Sequence, residues 1–187
     1  MGQAKAALPF GQTGETVLSR IVSTLLAGGV TDVAVVAGAH VDAVRHAMPG
    51  HDRRARVIEH PGWEQGQLSS LLAGLDAIDV PLLEAVMVTP VDVPLVTPFT
   101  VAAVIGAWRR TRAPIVRPVD GERHGHPVIF DRSVFGDLRS ADQSVGAKAV
   151  FGTYRDRIVN VEVKDAGAFE DIDTPDDYER LIKGLRA

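Results

Sequence analysis

Strand-like and helix-like segments take turns along the whole chain, and this alternation limits the fold more than any other feature of the sequence. Parallel strands need long crossover connections, which are usually helices, so alternation points to an α/β sheet covered on both faces. Val17, Leu18, Ile21, Val22, Leu25 and Leu26 recur at helical spacing and are closed by Gly28-Gly29. The run DVAVVAG at 32–38 reads as a buried parallel strand. A short helix is expected at 41–48, stopped by Pro49-Gly50, and a strand at 56–60. Leu68, Leu71, Leu72 and Leu75 mark one helix face, and AVMVT at 85–89 is another apolar strand. Thr97 is a helix N-cap followed by Pro98 at the first helical position, opening a helix to about Arg110. Short strands are expected at 114–119 and 126–130, then a helix around 145–154 and a strand at 157–163. Thr174-Pro175-Asp176-Asp177 opens the last helix, with two acids at the positive end of its dipole. The expected architecture is a doubly wound, mostly parallel α/β sheet with helices on both faces. Ligands of such sheets sit beyond the carboxyl ends of the strands, so the loops there are where chemistry is expected.

The 187 residues suit a single domain spanning 1–187. The absence of cysteine excludes disulfides, thiolate catalysis and Cys-based metal sites. It also fits a reducing compartment, and a cytoplasmic location is expected. A net charge of −4 lacks the footprint of a dedicated nucleic-acid binder. No apolar run approaches a membrane span, and MGQAKAALPFG has no signal-peptide core. Met1-Gly2 resembles the start of a myristoylation site, but Ala6 stands where Ser or Thr is needed.

Five loops carry candidate chemistry. In TPVDVPLVTP (89–98), Pro90 and Pro94 restrict the backbone around one carboxylate, Asp92. A rigid carboxylate at a strand end suits Mg²⁺, and it equally suits a turn-capping role. In FEDIDTPDDYERL (169–181), Asp171 and Asp173 both precede the helix on an extended segment. Asp173 is the candidate second metal carboxylate, with plain helix capping as its other reading. Gly66, Gln67, Ser69 and Ser70 open a helix, where small polar groups and free N–H groups meet a nucleotide or simply cap the turn. In GERHGHPVIF (121–130), His124 and His126 lack helical zinc spacing and a third histidine. Gly146 and Lys148 open a helix and either help bind phosphate or only start the turn.

These pieces occur in a telling order: Met1-Gly2-Gln3-Ala4-Lys5 with Leu8-Pro9-Phe10, residues 63–75, Val91-Asp92-Val93-Pro94, Gly125-His126-Pro127-Val128, Gly146-Ala147-Lys148, and Asp171-Ile172-Asp173-Thr174-Pro175-Asp176-Asp177. Together they resemble the MobA-like nucleotidyltransferase family, and most of all its molybdenum cofactor cytidylyltransferases. The resemblance implies a Rossmann-like sheet of the nucleotide-diphospho-sugar transferase type. It implies Mg²⁺-dependent transfer of CMP from CTP to a phosphorylated acceptor such as molybdopterin, with release of pyrophosphate. Asp92 and Asp173 would hold the metal. Lys5 would neutralise triphosphate charge as a catalytic group with Asp92; Gly2, Lys5, Gln67 and Ser69 would meet the nucleotide; Gly125, His126 and Lys148 would border the acceptor. The implied partners are CTP or GTP, the acceptor and a molybdoenzyme, with neither nucleic acid nor membrane.

Three positions depart from the family pattern. The loop Leu-Ala-Ala-Gly-x-Ser-x-Arg and the strand before it have no counterpart, because this sequence opens at the Met of Met-Gly. A sheet lacking its first, central strand is therefore expected, with two inner strands left unpaired along one edge. That loop would also separate CTP from GTP users. Val91 stands where Gly usually precedes the aspartate, and Lys148 where Arg is common. The alternatives are a non-catalytic relative that carries cofactor to a partner enzyme, and a guanylyl- or sugar-phosphate nucleotidyltransferase.

Overall fold

Ile115 and Val116 are consecutive residues of one strand, both fully buried, and they belong to different apolar clusters. Successive strand side chains point to opposite faces, so both faces of this sheet are covered. The computed structural model describes residues 4–11, 14–48 and 52–184. Ile115 packs with Leu75, Phe135 and Leu138, and Val116 with Val104, Ala107 and Trp108. The helices behind these residues are α3 (Gln67–Ile78) and α5 (Phe135–Ser140) on one face, and α4 (Pro98–Thr111) on the other. Each fully buried Ile or Val is worth about 1.5–3 kcal/mol, so this two-sided burial is what fixes the central strand.

That strand is β6 (Ile115–Asp120). It pairs in parallel with β9 (Ile158–Glu162) and antiparallel with β8 (Val128–Asp131), which pairs antiparallel with β5 (Ala85–Val88). Thus β5, β6 and β9 share one direction, and β8 runs reversed between β5 and β6. The short β7 (Arg123–His124) also pairs antiparallel with β6. Between β7 and β8 the ladder lapses at Gly125-His126-Pro127, and this lapse becomes one wall of the site.

A second, two-stranded sheet joins β3 (Val33–Ala37) and β4 (Ala55–Glu59) in parallel, from Val33 opposite Ala55 to Ala37 opposite Glu59. The crossover between them carries α2 (Val41–Ala47), while Pro49-Gly50, expected to stop that helix, lies outside the described residues. Helix α1 (Val17–Ala27) starts at a reciprocal cap: Thr16 Oγ1 accepts from the Ser19 N–H, and Ser19 Oγ accepts from the Thr16 N–H. It buries Val17, Leu18, Ile21, Val22 and Leu25. Among the described residues no backbone ladder joins β3 to β5, and each pairs along one edge only. Side chains span the break, since Val35 of β3 and Met87 of β5 pack on the same cluster.

Most expected elements are present within a residue or two of their predicted ends, and the helix expected at 145–154 is the shorter α6 (Lys148–Thr153). Last comes α7 (Pro175–Gly184). Its first turn closes as the sequence implied: Thr174 Oγ1 accepts from the Asp177 N–H, and Asp177 Oδ2 accepts from the Thr174 N–H. The hydrogen bonds from Thr174 lower the Asp177 carboxyl to about 2. Two elements are too short to leave a sequence period: α5 and the hairpin of β1 (Pro9–Phe10) with β2 (Glu15–Thr16). Among the described residues no helix is long and apolar enough to cross a membrane.

Candidate active site

The loop after β5 is held by its apolar residues. Val93, Pro94 and Val96 are almost wholly buried, so the backbone around Asp92 is anchored in the core. Asp92 lies half-way into the protein, and its Oδ1 is buried with no hydrogen-bond partner. Burial raises the Asp92 carboxyl above its ordinary range; Lys5 opposes the rise, and the neighbouring charges of Asp171 and Asp173 add to it. A buried acceptor with no donor is costly.

Asp92 lines a cavity of about 270 Å³ together with Gln67, Pro90, His124, Gly125, His126, Ala168, Phe169 and Asp171. Pockets for drug-sized ligands run to roughly 300–1,000 Å³, so this one would enclose part of a substrate. His126 Nδ1 is buried without a partner. Burial lowers its basicity, against the pull of the Val88 backbone and of Asp92 and Asp171. At the rim, Arg117 Nη2 lies 2.9 Å from His124 Nε2; a guanidinium only donates, so this ring nitrogen accepts.

Two close backbone approaches hold the segment 165–172 in place. A Cβ on Gly125 would come 2.4 Å from the Ala168 carbonyl oxygen, and one on Gly167 would come 2.3 Å from the Leu95 carbonyl oxygen. Only glycine permits this packing. His126 N–H donates to the Ala168 carbonyl at 2.9 Å, and Ile172 N–H to the Asp92 carbonyl at 2.8 Å.

The fold therefore gathers Gln67, Asp92, Gly125 and His126 from three distant stretches of sequence into one cavity wall. Lys5 stands beside them through an ion pair with Asp173 at 3.1 Å. Asp173 is largely exposed at this pair, whereas the cavity is lined by Asp171. Ser69 is buried and turned into its own loop, donating to the Gly66 carbonyl at 2.8 Å with His60 Nε2 at 3.0 Å. Lys148 is exposed at the start of α6 and is not among the lining residues, and Gly2 lies outside the described residues. Sequence reasoning did not single out Phe169 or Ala168, and of the two acids Asp171 and Asp173 it favoured Asp173, whereas Asp171 is the one that lines the cavity.

A hard cation fits the Asp92 end of this cavity, because Asp92 Oδ1 is an unsatisfied oxygen acceptor with Asp171 on the same wall. Among the described residues no three His, Asp or Glu side chains converge as a closed metal cage. An ion here would draw its remaining ligands from water and substrate oxygens, as Mg²⁺ commonly does.

Comparison with known proteins adds the following. The sequence model described as the MobA-like NTP transferase domain matches residues 1–158. Nicotine blue oxidoreductase of Paenarthrobacter nicotinovorans is 27% identical over 184 residues, covering 95% of this chain and 87% of that protein. The crystal structure of Rv0371c from Mycobacterium tuberculosis H37Rv superposes with a TM-score of 0.81 at 27% identity, over 98% of this chain and 90% of that one. The manganese complex of Rv0371c from the same organism gives a TM-score of 0.71 at 26% identity, over 96% and 91%.

Proposed function

We propose that this chain, which belongs to the MobA-like NTP transferase domain family and is a nucleotidyltransferase by that membership, transfers CMP from CTP to a phosphorylated acceptor such as molybdopterin. The observation that carries the reading is the buried, unpartnered Asp92 Oδ1 beside Lys5 and Asp171 in a polar cavity. The manganese complex of the Rv0371c relative supports divalent metal use, and Mg²⁺ is the ion proposed here.

The chemistry asks for positioning and neutralisation. An acceptor phosphate oxygen forms a bond to the α-phosphorus of the triphosphate, the α–β bridging bond breaks, and pyrophosphate leaves. An ionised phosphate has no proton to lose, so no general base is needed. Bound Mg²⁺ would neutralise phosphate charge, held by Asp92 with Asp171 or Asp173 from the segment before α7. Lys5 supplies a cation within reach of both acid-bearing segments, as its pair with Asp173 and its influence on Asp92 indicate. Gln67 presents an amide to the nucleotide from the first turn of α3. Gly125 and His126 form the acceptor side, where a bare backbone lets a substrate approach closely, and the exposed Lys148 is proposed to meet the acceptor's charge.

Thermal unfolding with Mg²⁺ and each of the four nucleoside triphosphates tests this reading, because a ligand that binds only the folded state raises its melting temperature. The largest rise is expected with CTP. A larger rise with GTP would move the chain to the guanylyl users. Binding without turnover would favour a carrier role, and redox turnover without a nucleotide would align it with the oxidoreductase relative.

A further inference from the structure

The segment 165–172 runs antiparallel along the loop that carries Asp92, and it is tied there at three places. At one end Asp165 Oδ2 accepts from the Thr97 N–H at 2.9 Å, from Thr97 Oγ1 at 2.8 Å and from Thr100 Oγ1 at 2.5 Å. In the middle Gly167 lies against the Leu95 carbonyl. At the other end the Ile172 N–H reaches the Asp92 carbonyl. On its far side the same segment takes the His126 N–H on the Ala168 carbonyl. Three parts of the cavity wall, bearing Asp92, His126 and Asp171, thus meet on one strap.

The other ties are backbone contacts, which hold any sequence of suitable size. Asp165 is different. One carboxylate oxygen gathers three donors, one of them the hydroxyl of the buried Thr100, at the positive end of the α4 dipole. This is more than helix capping requires, since Thr97 already caps α4. It fastens the strap to the rigid helix that follows the Asp92 loop, and so sets the place of Asp171 relative to Asp92.

We infer that Asp165 is a positioning residue: through Thr97 and Thr100 it holds the strap so that Asp92 and Asp171 face one metal–triphosphate group. The inference rests on the proposed reading of Asp92 as a metal carboxylate. Loss of an outer partner that holds a metal ligand in place typically costs 10–100-fold in metal affinity.

Mn²⁺ binding, read by electron paramagnetic resonance with CTP held constant, tests it on the full chain alongside melting temperatures. Asp165→Ala should weaken Mn²⁺ about tenfold. Asp165→Asn, which keeps an acceptor oxygen in place, should remain within about threefold of the parent, and Thr100→Val, which removes one donor, should fall between. Leu138→Ala empties a distant part of the core, so it should lower the melting temperature and leave Mn²⁺ affinity unchanged. If Asp165→Ala binds Mn²⁺ like the parent, or if Leu138→Ala weakens it equally, Asp165 has only a structural role and the inference fails by itself. If the parent with CTP takes up no Mn²⁺, the reading of Asp92 fails and the inference goes with it.

Discussion

The backbone N–H of Ile172 donates to the carbonyl of Asp92 at 2.8 Å, joining two acid-bearing segments far apart in sequence. Ile172 is buried, so its neighbours Asp171 and Asp173 turn away from the core while their backbone stays fixed beside Asp92. Negative charge is thereby concentrated at a place where burial already disfavours the Asp92 carboxylate. Such a site holds itself ready for a cation at some expense to its own stability, and the following outcomes are expected.

Asp92→Asn should abolish function and stabilise the metal-free protein. Removing a group that stabilises transferring phosphates costs about 100- to 1,000-fold in turnover. The stability effect has a definite sign. The folded-state pKa of Asp92 is raised above 3.8, so its contribution is fully present below that value and is lost as pH rises through the raised one. Near pH 7 without metal, the asparagine variant should therefore melt higher than the parent, and near pH 3 the two should coincide. Melting curves at both pH values in the presence of a chelator decide this; a variant that melts lower near pH 7 would contradict the account of Asp92.

Gly167→Ala and Gly125→Ala should each destabilise the fold, because the new methyl meets a backbone carbonyl oxygen at 2.3 and 2.4 Å. Backbone cannot swing aside as a side chain can, and overpacking of this kind costs about 1–3 kcal/mol. Urea unfolding measures it. Variants as stable as the parent would show that the strap is not held against the two loops as described.

Lys5→Met should separate stability from binding. Asp173 is exposed in its pair with Lys5, and pairs open to solvent contribute about 0–1 kcal/mol, so melting should hardly move. A charged hydrogen bond to a triphosphate is worth about 1.5–3 kcal/mol, so KM for the nucleotide should rise about 10- to 100-fold. An unchanged KM would remove Lys5 from the nucleotide site.

The strands and principal helices were legible because burial writes itself into the sequence. VAVVA and AVMV are continuous apolar runs, as strands covered on both faces must be, and Thr97-Pro98 and Thr174-Pro175 announce their helices. The β1–β2 hairpin has two residues per strand and α5 has six, too few for a period to show. Within the site, Asp92 stood out through its flanking prolines and Gly125-His126-Pro127 through its composition. The choice between Asp171 and Asp173 could not be made the same way. It depends on which backbone N–H of the strap meets the Asp92 loop, a tertiary contact with no local trace. Asp165 was invisible for the same reason, since its three donors lie on Thr97 and Thr100.

The central claim is tested most directly by following pyrophosphate released from CTP by the full chain with molybdopterin as acceptor, with and without Mg²⁺, beside Asp92→Asn. The account predicts pyrophosphate in step with CMP transfer, only with the divalent ion, and its near-complete loss in the folded Asp92→Asn variant. Equal release from the parent and from Asp92→Asn, or none from the parent with any of the four triphosphates, would contradict it.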